Sequence, residues 1–227
     1  METLLVIGGS KGIGKAIIEE NISDNYVINI SRTPPDLNHA NLKHFSLDAL
    51  VDALPDIEQV DRLVYCIGSI NLKPFKSLKE SIIIDDFNVN VLGAARIMQK
   101  YLPKLEVSSN GSIVLFSTVA VKLGMPFHAS VAMAKGALEG LAKTVAAEYA
   151  TKVRCNIIAP TITDTPLGSR VLRNDRMREA MVERHPYKQY LQPKEVAQMA
   201  TYLMSPISKP VSGQVFQLDA GITTVKL

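Results

Sequence analysis

Short apolar runs rich in β-forming residues alternate with longer stretches of helical period along the whole chain. The runs fall at residues 4–7, 26–30, 44–47, 62–67, 112–117, 153–158 and 214–218. Between them, residues 15–21, 83–101, 132–150 and 193–204 repeat their apolar positions at helical spacing. The first pattern predicts strands and the second helices. Strands spaced by helices in this way point to βαβ units. The predicted fold is α/β, a doubly wound parallel sheet of the Rossmann type, with about seven strands and helices on both faces. One stretch breaks the rhythm. Residues 167–185 are polar, with Arg170, Arg173 and Arg176 three apart. They read as an inserted helix or lid, within about 166–192, on a single domain spanning 1–227. The arginines form either a solvated face or a contact for an acidic substrate.

Composition narrows the picture. The chain has 227 residues, 47% of them hydrophobic, enough for one sizeable core. Its 25 Lys and Arg against 22 Asp and Glu leave a net charge of +3. That is too little for a general affinity for nucleic acid or acidic membranes. No run approaches the roughly 20 apolar residues needed to cross a bilayer. The first run ends in glycines and reads as a strand rather than a signal peptide. Cys66 and Cys155 lie in apolar strand-like runs. They are expected as reduced core residues, which suits the cytoplasm. No metal centre is expected.

The first strand leads directly into Gly8-Gly9-Ser10-Lys11-Gly12-Ile13-Gly14, and a helix pattern follows. Glycines there let the backbone turn tightly and approach a pyrophosphate, whose charge meets the N–H groups of the helix N-terminus. Gly9 to Lys15 also fits a phosphate-binding P-loop. That loop next needs Ser or Thr to hold magnesium, and this chain has Ala16. The second strand ends without an acid, at Ile30-Ser31-Arg32. An acid there would suit the ribose hydroxyl of NAD. Arg32 instead suits the 2′-phosphate of NADP, to which it can fork two charge-assisted bonds. Lys11 adds a second positive charge, and Ser31 a possible donor. The plain alternative is a pair of surface bases.

The spacing Gly8-x-x-x-Gly12-x-Gly14 resembles that of the short-chain dehydrogenase/reductase family, although Ile7 stands where the family has Thr. The resemblance continues in order along nearly the whole chain. Asp48 matches the family's acid near the adenine. Tyr65-Cys66-Ile67-Gly68 stands where the family writes Asn-Asn-Ala-Gly. Asn90, in Asn88-Val89-Asn90-Val91, matches its active-site Asn. The segment from Pro160 through Thr163 to Thr165 looks like its loop for the nicotinamide carboxamide. Ser212-Gly213-Gln214 to Asp219-Ala220-Gly221 looks like its last strand.

The resemblance implies an NADP(H)-dependent oxidoreductase acting on a small carbonyl, alcohol or enoyl substrate by hydride transfer. A base at both Lys11 and Arg32 goes with NADP in the family. The implied cofactor residues are Gly8, Ser10, Lys11, Gly12, Ile13, Gly14, Ser31, Arg32, Asp48, Gly68, Asn90, Lys135, Pro160, Thr163 and Thr165. Lys135 matches the family's active-site Lys. Four residues before it, where the family has its proton-exchanging Tyr, stands Val131. Thirteen residues before Val131 is Thr118, in the place of the family's Ser. Asn90, Thr118 and Lys135 are thus the implied reaction-site residues. His128 lies seven positions before Lys135, the spacing at which the bacterial enoyl reductases of the family place their Tyr. It is either a substitute acid or merely the start of a helix. Tyr187 and Tyr190 in the lid are further candidates. The second function class is an NADP(H)-binding sensor or interaction protein without useful turnover. The family's use of the helices at 83–101 and 132–150 implies a homodimer or homotetramer. No nucleic-acid or membrane partner is expected.

Overall fold

Alternate residues of the central strands feed two separate cores, one on each face of a single sheet. The computed structural model describes residues 1–226. Its strands are β1 (Thr3–Ile7), β2 (Tyr26–Ser31), β3 (Leu42–Ser46), β4 (Arg62–Tyr65), β5 (Gly111–Phe116), β6 (Val153–Pro160) and β7 (Val215–Leu218). All pair in parallel, in the order β3-β2-β1-β4-β5-β6-β7. The helices are α1 (Gly12–Asn21), α2 (Glu80–Phe87), α3 (Gly93–Glu106), α4 (Ala129–Glu148), α5 (Asp175–Arg184) and α6 (Pro193–Met204).

Leu5 and Ile7 of β1, Leu63 and Tyr65 of β4, and Ile113 and Leu115 of β5 point to one side. There they meet Ile97, Tyr101 and Leu105 of α3 and Leu138 and Ala142 of α4. Leu4, Val6, Val64 and Val114 point to the other side, against Ile17 and Ile18 of α1 and Val196, Ala200 and Leu203 of α6. Strands buried on both faces carry continuous apolar runs, and this is why they were conspicuous in the sequence. The strand order reverses between β1 and β4, so a crevice opens beyond their carboxyl ends, between the turns that leave them.

The structure moves several predicted boundaries. β3 begins two residues before the predicted 44–47, because its register is set by pairing with β2, with Val27 opposite Leu42 and Ser31 opposite Ser46. β4 stops at Tyr65 rather than 67, and the chain then leaves the sheet. Cys66 is therefore a half-buried cleft residue, not the core residue expected, whereas Cys155 is fully buried in β6. The predicted helix 83–101 is really α2 and α3 joined by a π-helical turn, Asn88–Leu92. Two side chains take helix carbonyls there: Tyr65 Oη donates to Val89 O at 2.6 Å, and Asn90 Nδ2 to Asp86 O at 2.8 Å. α4 begins three residues earlier than predicted, which places Val131 in its first turn. The predicted lid is helical, with a 3-10 turn at Gly168–Arg170 followed by α5.

Candidate active site

The turn after β1 passes through Gly8 at φ +90° and Gly12 at φ +55°, a region open mainly to glycine. A Cβ on Gly14 would stand 2.4 Å from the Gly8 carbonyl oxygen, so α1 approaches the turn this closely only with glycine there. Asn29 of β2, wholly buried, holds the turn from beneath. Its Oδ1 accepts Gly9 N–H at 2.9 Å, and its Nδ2 reaches Ser31 Oγ and His44 Nδ1, each at 3.0 Å. Lys11 caps α1 without a side-chain hydrogen bond. The first N–H groups of the helix therefore face the crevice as donors for an anion.

Gly8, Ser10, Lys11, Ser31, Arg32, Asp48 and Gly68 line one end of the crevice, a hollow of about 550 Å³. Lys11 and Arg32 are exposed and enter no ion pair among the described residues. Ser31 differs from expectation. Its hydroxyl donates to Thr33 O at 2.8 Å, so its proton shapes the turn after β2 rather than standing free for a ligand. Asp48 uses Oδ1 to accept Leu50 N–H at 3.0 Å.

Ile67, Gly68 and Ser69 border both this hollow and a second one of about 300 Å³. Ile13, Thr118, His128, Val131, Lys135, Pro160, Thr163 and Thr165 line the second hollow. The structure thus gathers Thr118, His128 and Lys135 of the predicted reaction-site residues around one hollow. Asn90 stands behind Gly68, with its Oδ1 3.3 Å from the point a Gly68 Cβ would occupy; the same point is 3.7 Å from Lys135 Nζ. Gly12 approaches Thr165 across the crevice, at 3.2 Å from its would-be Cβ. Thr118 opens the 3-10 turn Val119–Val121, and its Oγ1 accepts Ala120 N–H at 3.3 Å. Val131, 4% exposed, presents only methyl groups. Burial pulls Lys135 down to about 8, against the partial opposition of Cys66 and Asp86.

His128 stands at a helix start and on the lining of the hollow. It is the N-terminal cap residue of α4, with Nδ1 donating to Pro126 O at 2.7 Å, and its ring still borders the hollow. The lid tyrosines do not line the hollow. Tyr187 is 79% exposed, and Tyr190 Oη accepts a bond from Arg178 at 2.9 Å. Arg170, Arg173 and Arg176 do not line it either; Arg184 at the end of α5 does. Arg178, outside the predicted triplet, ties α5 to the segment after β6 by pairing with Asp164 at 2.6 Å.

Several polar residues of the site escaped the sequence reading. His185 is 1% exposed, with Nδ1 donating to Met181 O at 2.6 Å and Nε2 facing Thr161 Oγ1 at 2.7 Å. Ser69, Asn71, Asp86 and Ser130 form a buried network beside Asn90. None belongs to a motif. The one signal in the sequence was a carboxylate, Asp86, one helical turn before Asn90.

The comparisons with known proteins agree with this geometry. The family profile described as enoyl-(acyl carrier protein) reductase matches residues 43–223. A tropinone reductase homologue of Arabidopsis thaliana is 32% identical, over 97% of this chain and 93% of its own. A short-chain dehydrogenase family protein of Francisella tularensis shares the fold, at a TM-score of 0.89 and 24% identity, over 99% of this chain and 100% of its own. ElxO with NADP bound superposes at a TM-score of 0.88 and 25% identity, over 99% of both chains. With its glycine turn, Lys135 in the crevice with Asn90 behind Gly68, and these matches along most of its length, the chain belongs to the short-chain dehydrogenase/reductase family of oxidoreductases.

Proposed function

We propose that the protein is an NADP(H)-dependent oxidoreductase with an altered proton-donor site, acting on a small carbonyl, alcohol or enoyl substrate. The observation that carries the reading is the pair Lys11 and Arg32, without an ion-pair partner among the described residues, at one end of a crevice whose other end is lined by Lys135. The uncapped start of α1 and the space left by Gly8 and Gly12 fit a pyrophosphate between them. That ElxO is solved with NADP supports the same choice. The bound cofactor would supply the hydride. Arg32 and Lys11 would hold its 2′-phosphate, Asp48 would lie near the adenine, and Thr163, Thr165 and Pro160 would face the nicotinamide. Thr118 would hold the substrate oxygen.

Val131 favours a second reading, a binding protein with little turnover, because valine has no proton to give. One experiment covers both. NADPH and NADH are titrated against the protein, and NADPH oxidation is then followed over ketones, quinones and enoyl thioesters. Tighter NADPH binding with turnover supports the reductase; binding without turnover supports the sensor; equal affinity for NADH refutes the choice of NADP. Val131→Tyr sharpens the result. General acid catalysis is worth about 10²- to 10⁴-fold, and the variant is expected to gain part of that where the hollow accepts the ring. His128→Ala tests the substitute acid: robust activity after the change removes His128 from the mechanism.

A cytoplasmic homodimer or homotetramer belongs to the same proposal. Met133, Ala137 and Gly140 form an exposed stripe on α4, and Ile84 and Leu92 are 50% and 53% exposed nearby in sequence to α3. Apolar residues outside the core in this number suit a self-complementary contact. A monomer mass by light scattering at micromolar concentration would end the idea. Among the described residues, no helix is long and apolar enough to cross a membrane.

A further inference from the structure

Arg184 stands apart from the other bases of the lid. Arg170, Arg173 and Arg176 lie off the second hollow, whereas Arg184 borders it from the last turn of α5. Met181, three residues earlier and so on the same helix face, borders it too. With Ile70, Leu72, Met125, Val171 and Ile222 it gives the hollow an apolar wall. The Arg184 side chain is exposed, and among the described residues it enters no ion pair. No Asp or Glu lines the hollow among those residues. Acids on the surrounding elements are engaged elsewhere. Glu183 pairs with Lys188 at 3.0 Å, Asp164 pairs with Arg178 at 2.6 Å, and Glu139 accepts Ser117 Oγ at 2.5 Å. His185, next to Arg184, has its ring nitrogens taken by Met181 O and Thr161 Oγ1. The standing charges on the lining are therefore Lys135 and Arg184, both positive. A space of this kind draws a molecule that is apolar along its body and anionic at one end, and it offers a cationic molecule no partner.

We propose that the substrate is a carbonyl compound with an apolar body and a terminal carboxylate, and that Arg184 selects it by binding the carboxylate from the lid while the carbonyl lies towards Lys135. The inference rests on the proposed reductase site and deepens it, by naming the charge of the substrate and the residue that reads it. A guanidinium suits this task because its planar fork matches the two oxygens of a carboxylate. The acidic-substrate contact that the arginine triplet suggested thus passes to a base one turn beyond it. A cation in the last turn also suits the helix dipole. That role would act on the stability of α5, not on the choice between charged and neutral ligands.

The test uses the whole chain loaded with NADPH and methyl-ketone acids of increasing chain length. Each acid is compared with its neutral methyl ester and with the ketone that carries trimethylammonium in the same place. Calorimetry gives Kd and NADPH oxidation gives kcat/KM, so binding without turnover is read as well. At the best length the acid is expected to exceed its ester on the order of tenfold, the worth of one charged bond at an exposed site, and the ammonium compound to fall below both. Arg184→Gln is expected to bring acid and ester together. Arg184→Lys, which keeps the charge but not the fork, should retain part of the preference, and Arg170→Gln, off the hollow, all of it. An ester as good as its acid in the parent overturns the proposal, as does a loaded protein that takes none of the acids. A preference that survives Arg184→Gln overturns it too, because the selection would then belong to Lys135. An equal loss in Arg170→Gln would mark the overall charge of the lid and also overturn it. A protein that binds no NADPH refutes the proposed function, whereas one that binds NADPH without selecting by charge refutes this inference alone.

Discussion

The two ends of the crevice both present cations, and they hold them in opposite ways. At the polar end, Lys11 and Arg32 extend into water from a turn and a strand end, with no ion-pair partner among the described residues. At the reaction end, Lys135 is 7% exposed inside an apolar lining, and burial has already lowered its proton affinity. An exposed base costs the fold little and acts only when a phosphate arrives. A buried amine carries a standing cost to stability, and that cost is what tunes it. On the proposed function, one end would select the ligand and the other would carry the chemistry.

The largest effect expected from breaking this contrast is at the buried end. Lys135→Met should lower turnover of any accepted substrate on the order of 10²- to 10⁴-fold, read as kcat/KM. The same variant should be more stable than the parent near neutral pH, because it removes a buried cation. The sign follows from proton binding. Folding lowers the Lys135 pKa from 10.5 to about 8, so the folded state binds fewer protons between those values, and stability rises with pH across that window. The cost of burial is full below pH 8 and relieved above 10.5. It amounts to about 3 kcal/mol at most. Urea denaturation at several pH values should show the rise in the parent and not in Lys135→Met.

At the polar end the expected effects are smaller and confined to binding. Arg32→Ala should weaken NADPH by about 1.5–3 kcal/mol, the worth of a charged hydrogen bond, and leave NADH nearly unchanged. Equal weakening of both by titration would break the assignment. Gly14→Ala tests the scaffold beneath that end. A methyl 2.4 Å from the Gly8 carbonyl forces α1 away, at a cost of about 1–3 kcal/mol in denaturation. NADPH affinity should fall with it.

The same contrast explains what the sequence could and could not reveal. The polar end was legible because its function lies in backbone shape and in long exposed side chains. A glycine needed at Gly12 or Gly14 and a base at Arg32 are visible one residue at a time. The sheet was legible because strands buried on both faces must be apolar throughout. Boundaries set by a partner, such as the start of β3, were not. The reaction end was only half legible. Lys135, Asn90, Thr118 and Val131 stood out by spacing against a family pattern. The groups that tune them did not, because Ser69, Asp86 and Ser130 meet only through the fold, from positions 17 and 44 residues apart. His185 was hidden for the same reason: it reaches Thr161 across a lid whose helical turn had no motif. Ser31 lines the polar end as expected, but that its hydroxyl donates to Thr33 O could be read only from the fold.

The wide turn at Asn88–Leu92 has a further consequence. A π-helical turn holds one residue more than the α-helix would need for the same advance. It acts as a phase setting between two rods. Downstream, α3 keeps Ile97, Tyr101 and Leu105 on the sheet. Upstream, the same chain presents Asp86 to Ser69, Asn71 and Ser130. Shortening the turn by one residue would rotate everything before it by about 100° relative to α3 and swing Asp86 away, with the sheet contacts untouched. A change in chain length of a single residue in this one turn is therefore enough to part Asp86 from Ser69, Asn71 and Ser130.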